Sequence, residues 1–233
     1  MKNFLSLLIF PILLFNCSQS KVQTENNTTE LKKSAEIIED KISEETLVKE
    51  QELINPEKLT SAYFASGCFW CVEAIYESIK GVQEVYNGYS GGHTKNPTYE
   101  SSNTGKTGHA EAVEVIYDSS IVSFKELVDV YFGSQNIEQV NGQGYDMGSQ
   151  YRSIIFYSDE SEKKIIDFKI TQLKSMGLKP AAEVKQFKKF WMAEDYHQNY
   201  EKLHPNQRYI VSVSIPRLNR FKKKFPELLK PGE

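Results

Sequence analysis

The chain has 233 residues, and its 28 Lys and Arg stand against 31 Asp and Glu for a net charge of −3. That balance gives no reason to expect a nucleic-acid partner, which would call for a basic surface. With only three cysteines, any thiol chemistry narrows to one close pair, Cys68 and Cys71, and one distant residue, Cys17.

In chain order, Met1-Lys2-Asn3 is a short positive start and Phe4 to Phe15 is almost wholly apolar. The run is too short to span a bilayer comfortably but suits the hydrophobic region of a secretion signal. It stops at Asn16-Cys17-Ser18. An apolar segment ending on one Cys resembles a bacterial lipoprotein signal, which implies cleavage before Cys17 and lipidation of its thiol. Phe15 and Asn16 are larger than that pattern expects, so an ordinary signal peptide with an incidental Cys stays open. Residues 1–17 are therefore expected to be a signal and the protein to be exported to a bacterial envelope, anchored to the membrane through lipid on Cys17.

Residues 18–60 hold no aromatic side chain and are rich in Glu, Lys, Asn and Thr. Leu31, Ala35, Ile38 and Ile42 recur at helical spacing but fade after about two turns, short of the three or more heptads of a coiled coil. The stretch reads as a solvated tether giving reach from a membrane.

From residue 61 to 233 lies one domain's length of sequence. Strand-like runs are expected at Ala62–Ser66, Gln83–Tyr89, Ala112–Tyr117 and Tyr151–Tyr157. Helical periodicity marks Val72 to Ile79 (closed by Gly81), a segment opening at Ser123, and Glu160–Met176. The order β-α-β-β-α-β predicts an α/β (α+β) two-layer plait of ferredoxin-like core, helices on one face of a sheet, with C-terminal additions. Arg217 to Phe225 is strongly basic and reads as a solvated tail, with anionic lipid as the other reading.

This order puts Cys68 of Gly67-Cys68-Phe69-Trp70-Cys71 at the turn from the first strand into the first helix, where negative charge is favoured. Cys71 is one turn further, within disulfide reach. A structural disulfide would close a tiny loop and stabilise little. Zinc would need further ligands, and the four histidines lack metal spacing. A thioredoxin-like disulfide oxidoreductase remains the strongest rival, although two aromatics inside the pair suit it poorly.

Further motifs follow: Gly88-Tyr89-Ser90-Gly91-Gly92, Asn96-Pro97-Thr98-Tyr99, Thr107-Gly108-His109-Ala110-Glu111, Gln150-Tyr151-Arg152-Ser153, and Ala193 through Tyr200. Their order and spacing resemble the A-type peptide methionine sulfoxide reductases over about residues 62–203. The resemblance implies a plait fold and reduction of methionine S-sulfoxide in peptides and proteins, repairing oxidised envelope proteins. Cys68 would attack the sulfoxide sulfur and become a sulfenic acid. Phe69 and Trp70 would receive the S-methyl group, Glu111 would protonate the departing oxygen with help from Tyr99 and Tyr151, and Asp146 would order the substrate side.

No metal or bound cofactor is implied; turnover needs an external dithiol donor, thioredoxin-like, reached through a membrane relay in an exported enzyme. Many relatives carry Gly at the position of Cys71 and recycle through C-terminal cysteines. This chain has none after Cys71; its resemblance to the subset carrying Cys-Phe-Trp-Cys implies Cys71 as the resolving thiol, Cys17 being expected to carry lipid. Ser134-Gln135-Asn136-Ile137 is a second departure, where many relatives have His-Asp-Pro-Thr.

Overall fold

The computed structural model describes residues 55–233; the signal segment, Cys17 and nearly all of the expected tether lie outside the described residues. Asn55 caps a single turn, Pro56–Lys58, by accepting the Glu57 N–H at 3.0 Å. The first strand, β1 (Leu59–Ala65), follows at once, beginning before Ser61.

The elements then run α1 (Phe69–Glu77), β2 (Val82–Ser90), α2 (Tyr99–Asn103), β3 (Ala110–Asp118) and α3 (Phe124–Gly133). A small hairpin follows, β4 (Gly142–Gln143) with β5 (Asp146–Met147), then β6 (Ile154–Tyr157), α4 (Glu160–Ser175), β7 (Glu183–Gln186) and β8 (Trp191–Met192). The chain closes with α5 (Tyr200–Leu203), a wide π turn (Ile210–Ser214) and α6 (Ile215–Lys224).

The six-stranded sheet has the order β7-β6-β1-β3-β2-β8. Its four central strands are mutually antiparallel, with α1 linking β1 to β2 and α3 lying between β3 and β6. That is the expected plait. Outside it, β7 joins β6 in parallel after α4, and β8 extends the β2 edge.

Period-two alternation decides which side chains meet the helices. On β1, Ala62 and Phe64 enter the main core beneath α1 and α3, whereas Ala65 faces a smaller cluster with Ala110, Ala112, Ile154 and Phe156. On β3, Val113, Val115 and Tyr117 share the helix-side face. Glu111 has the same parity, so a carboxylate is delivered into the core side, under the start of α1. Phe64 centres the packing: it stacks on Tyr76 with ring centroids 4.9 Å apart and meets Tyr131 at 5.6 Å.

Several expectations are corrected. The helix expected to run to Gly81 ends at Glu77, because Ile79 instead pairs with Leu229 in a short bridge. The loop after β2 contains α2, whose Thr98 and Ser101 form a reciprocal capping box without an acidic residue at the third position. Tyr151 does not start a strand. It closes a 3-10 turn, Ser149–Tyr151, and the strand begins at Ile154.

The basic C-terminal segment is no solvated tail: it forms α6, with Arg217 and Phe221 buried on α1 and the core. The charge run misled because its inward residues recur at helical spacing while Arg220, Lys222, Lys223 and Lys224 occupy the other faces.

Phe64 is fully buried among three aromatic neighbours, so Phe64→Ala leaves a cavity that the neighbouring rings cannot close. The expected cost is about 3–5 kcal/mol, read as a lower urea midpoint at unchanged slope.

Candidate active site

The site is built where β1 turns into α1. Gly67 has φ of +83°, and a Cβ there would lie 2.6 Å from Gln143 Cβ. Glycine is therefore needed both for the turn and for the close approach of the hairpin. Cys68 follows as the residue capping α1, but its side chain makes no capping bond. Glu111 does so instead: its Oε2 accepts the Phe69 N–H at 3.0 Å. A carboxylate from β3 thus occupies the place of a helix cap, beside the thiol of Cys68.

That acid sits in conflicting fields. The helix N–H favours its ionised form, but the group is 2 % exposed, and burial penalises the charge. Desolvation wins, as it can by several units against a single hydrogen bond. The Glu111 carboxyl is pushed up from 4.5 to about 8 by burial, with Asp146 and Cys71 adding to the rise.

Cys68 and Cys71 are both free thiols, and both are buried. Burial, Cys71 and Glu111 push the Cys68 thiol well above its ordinary value. Cys71 moves the other way, to about 6, through the hydrogen bond from Cys68 first and then the Arg217 guanidinium. The helix terminus alone thus does not make Cys68 the more acidic member, as its position in the sequence suggests. The pair holds one proton between two sulfurs, and it rests on the Cys68 side.

The aromatic wall is more extensive than Phe69 and Trp70. Trp70 stacks on Tyr200 with centroids 3.8 Å apart, and its indole N–H donates to His197 Nδ1 at 3.2 Å. His197 also lies against Phe69 at 4.9 Å and Tyr99 at 4.6 Å. Indole is only a donor, so His197 accepts through Nδ1 and, when neutral, carries its proton on Nε2. Burial holds its pKa down, which keeps it neutral.

The segment supplying these rings is clamped to β2. Asn87 N–H donates to Gln198 Oε1 at 2.8 Å, Gln198 Nε2 returns a bond to Asn87 O at 3.1 Å, and Asn87 Nδ2 donates to His197 O at 2.8 Å. Glu73, buried on α1, accepts the Asn199 N–H at 2.8 Å. Glu194 receives both the Tyr89 hydroxyl and the Tyr99 N–H at 2.9 Å, which sets the start of α2 against the wall.

Tyr151 is carried in by its turn, whose neighbour Arg152 donates to Ser149 O, Gly108 O and Glu183. Tyr99 and Tyr151 are half-buried, and their hydroxyls are pushed up by burial, with Glu111 and Cys68 among the charges that each senses. Asp146 on β5 accepts the Tyr209 hydroxyl at 2.6 Å, and that same oxygen lies 3.6 Å from Cys71 Sγ. Cys68, Cys71, Phe69, Trp70, Tyr99, Glu111, Asp146 and Tyr151 therefore share one neighbourhood, and Cys17 lies outside the described residues.

His197, Tyr200, Glu194, Tyr209 and Arg217 complete the surroundings without having been singled out in the sequence. The first three lie inside the Ala193–Tyr200 motif, so the signal was present without assigned roles. Tyr209 and Arg217 carried none.

Chemically, the arrangement offers a sulfur nucleophile, a neutral acid beside it, an apolar wall and a second thiol. The sequence profile of the family described as peptide methionine sulfoxide reductase matches residues 60–229. The chain is 46 % identical over 165 residues to a peptide methionine sulfoxide reductase MsrA of Nautilia profundicola, covering 71 % of this chain and 95 % of the relative. It is 44 % identical over 173 residues to that of Saccharolobus solfataricus, covering 74 % and 98 %. Among solved structures, methionine sulfoxide reductase A of Corynebacterium diphtheriae is similar at a TM-score of 0.58 and 32 % identity, over 66 % of this chain and 78 % of that one. Reduced Mxr1 of Saccharomyces cerevisiae is similar at 0.59 and 29 %, over 66 % and 90 %.

A raised pKa in the folded state means that folding binds a proton. The associated stability is full below the ordinary value of 4.5 and is lost as pH climbs through about 8. Glu111→Gln, neutral throughout, should remove that loss. Chemical denaturation on either side of pH 8 is expected to show a flatter stability profile for the variant than for the native chain.

Proposed function

The chain belongs to the peptide methionine sulfoxide reductase family and reduces methionine sulfoxide; from that premise we propose that Cys68 attacks the sulfoxide sulfur and that Cys71 restores it. The observation that carries this reading is Glu111, a buried carboxyl still protonated near neutral pH and bonded to the N–H of the residue next to Cys68.

Sulfoxide oxygen leaves poorly as an anion. As the Cys68 sulfur bonds to the substrate sulfur, the Glu111 proton passes to that oxygen and the Cys68 proton replaces it on the carboxylate, a task to which a group with a pKa near 8 is well matched. The hydroxyls of Tyr99 and Tyr151 face the same charge and support it. The S-methyl group rests on Phe69 and Trp70, the latter fixed by Tyr200 and His197. The substrate's S–O bond and the new S–S bond then break, methionine leaves with an electron pair on its sulfur, and the protonated oxygen passes to Cys68 as a sulfenic acid.

Cys71 then attacks Cys68 Sγ, forming a disulfide and releasing water. A thioredoxin-like dithiol donor reduces this bond and takes up the oxidation. The S epimer of the sulfoxide, in peptides and proteins, is the substrate. Lipid on Cys17 holds the enzyme at the envelope, where it repairs exported proteins.

The full chain is assayed with each sulfoxide epimer and a dithiol, the product being followed by mass spectrometry. Reduction of the S epimer alone is expected, with none by Cys68→Ser. Glu111→Gln should lose about a hundredfold or more in rate. Cys71→Ser should complete one turnover and then stall with a protein dithiol donor. Cleavage of protein disulfides without reduction of either epimer would replace this reading with disulfide exchange. For the anchor, cells fed labelled fatty acid should incorporate it into the native chain and not into Cys17→Ala; an unlabelled native chain overturns the lipid anchor.

A further inference from the structure

The C-terminal segment packs on α1 and reaches Cys71. A π turn aligns residues five apart, and a regular helix aligns those three or four apart. Through the turn Ile210–Ser214, Tyr209 and Ser214 share a face, and through α6 that face continues to Arg217 and Phe221. Pro216, which lacks an N–H and would clash in a regular helix interior, sits just after this widened turn.

The face packs on α1. The Tyr209 hydroxyl is 3.6 Å from Cys71 Sγ, and the Ser214 hydroxyl also faces that sulfur while donating to Glu201. Arg217 lines the same cleft of about 500 Å³ as Cys71 and Asp146.

Arg217 is only 9 % exposed, yet its hydrogen bonds all go to neutral oxygens: Nε to Ser134 O at 3.0 Å, Nη1 to Ser66 O at 3.0 Å and Nη2 to Ser66 Oγ at 2.8 Å. A buried guanidinium without a bonded carboxylate is costly unless an anion lies near it. The anions within its field are Asp146, already held by Tyr209, and the Cys71 sulfur.

We propose that Arg217 is a positioning residue for the recycling half of the reaction, its guanidinium serving as the counter-ion of the Cys71 sulfur while that sulfur attacks the oxidised Cys68. This rests on the assignment of Cys71 as the resolving thiol. In the step, a Cys71 lone pair forms the S–S bond and the S–O bond of the sulfenic acid breaks. The oxygen takes a proton from a neighbouring acid or solvent and leaves as water. Cys71 is oxidised by giving up the electrons that reduce Cys68.

The titratable groups facing Cys71 are Cys68 at the head of α1, Glu111 on β3, Asp146 on β5, Tyr209 before the π turn and Arg217 on α6. Arg220 and Lys224 line the same cleft, but Arg217 is the cation whose charge lowers the Cys71 thiol. Its Nη1 and Nη2 also tie down Ser66, next to Gly67, so the same group fixes the turn that presents Cys68.

The test separates the two half-reactions by single-turnover kinetics in the full chain, with methionine formation reporting the first and loss of the second free thiol reporting disulfide formation. Arg217→Met should slow methionine formation less than disulfide formation, because losing the Ser66 bonds touches both steps and losing the charge touches only the second. It should slow disulfide formation about tenfold or more at neutral pH, and most of the rate should return as pH rises past the ordinary thiol value near 8.5. Arg217→Lys keeps the charge without the guanidinium fork and should retain clearly more of the disulfide rate at neutral pH than Arg217→Met.

Equal loss in both half-reactions with no recovery at high pH would mean a structural role and overturn the proposal, as would an unchanged disulfide rate. If Arg217→Met fails to fold, a second measurement decides: the thiolate absorbance of Cys71 titrated in Cys68→Ser with Arg217 intact. A midpoint well below the ordinary thiol value supports the proposal, and a midpoint at or above that value overturns it. The test of Cys71 itself stays separate, because loss of the resolving role would show in Cys71→Ser whatever Arg217 does.

Discussion

The free N–H groups at the start of a helix require acceptors, and α1 finds one in a carboxyl from another element. Glu111 is held against the Phe69 N–H, in a space so dry that its proton is retained to about pH 8. Much else follows from this contact. It fixes β3 against the turn that carries Cys68, it places a neutral acid next to a buried thiol, and it sets the field in which both sulfurs and both tyrosines titrate. A solvated carboxylate could hold the helix end equally well but would have no proton to give at neutral pH.

The aromatic side of the site depends on a different kind of restraint. Trp70 extends from the first turn of α1 and is only partly covered by the core, so its orientation comes from Tyr200 beneath it and His197 at its indole N–H. Those two residues sit on a segment outside the sheet, His197 closing a 3-10 turn and Tyr200 opening the four-residue helix α5. The Asn87–Gln198 exchange and the Glu73–Asn199 bond tie that segment to β2 and α1, replacing the backbone pairing it lacks. An apolar wall for a methyl group is thereby made rigid by a polar clamp behind it.

The two thiols face different surroundings although one helical turn separates them. Cys68 meets the acid and the tyrosines, and Cys71 meets the hydroxyls and guanidinium of the C-terminal helix. One shared proton and unequal neighbours polarise the pair. In a chain without a cysteine beyond Cys71, the segment after Leu203 contributes to the site through Tyr209, Ser214 and Arg217 instead of through a thiol.

The sequence by itself determined the plait and the centre of the site. Alternation and periodicity are local properties, so β1 to β3, α1 and α3 were legible from residue spacing, and Cys68 could be placed at a strand-to-helix turn. The family's motifs brought Glu111, Tyr99, Tyr151 and Asp146 to the same place by resemblance. What only the tertiary structure decided were quantities set by neighbours distant in the chain. The raised Glu111 follows from burial under a helix 42 positions away, and the partner of Trp70 lies 127 positions on. The inward face of the basic tail was hidden because a charge run reads as solvated until a packing surface is known. Arg217 meets Ser66 across 151 positions, a contact no local pattern encodes, and burial there turns a surface charge into part of the site.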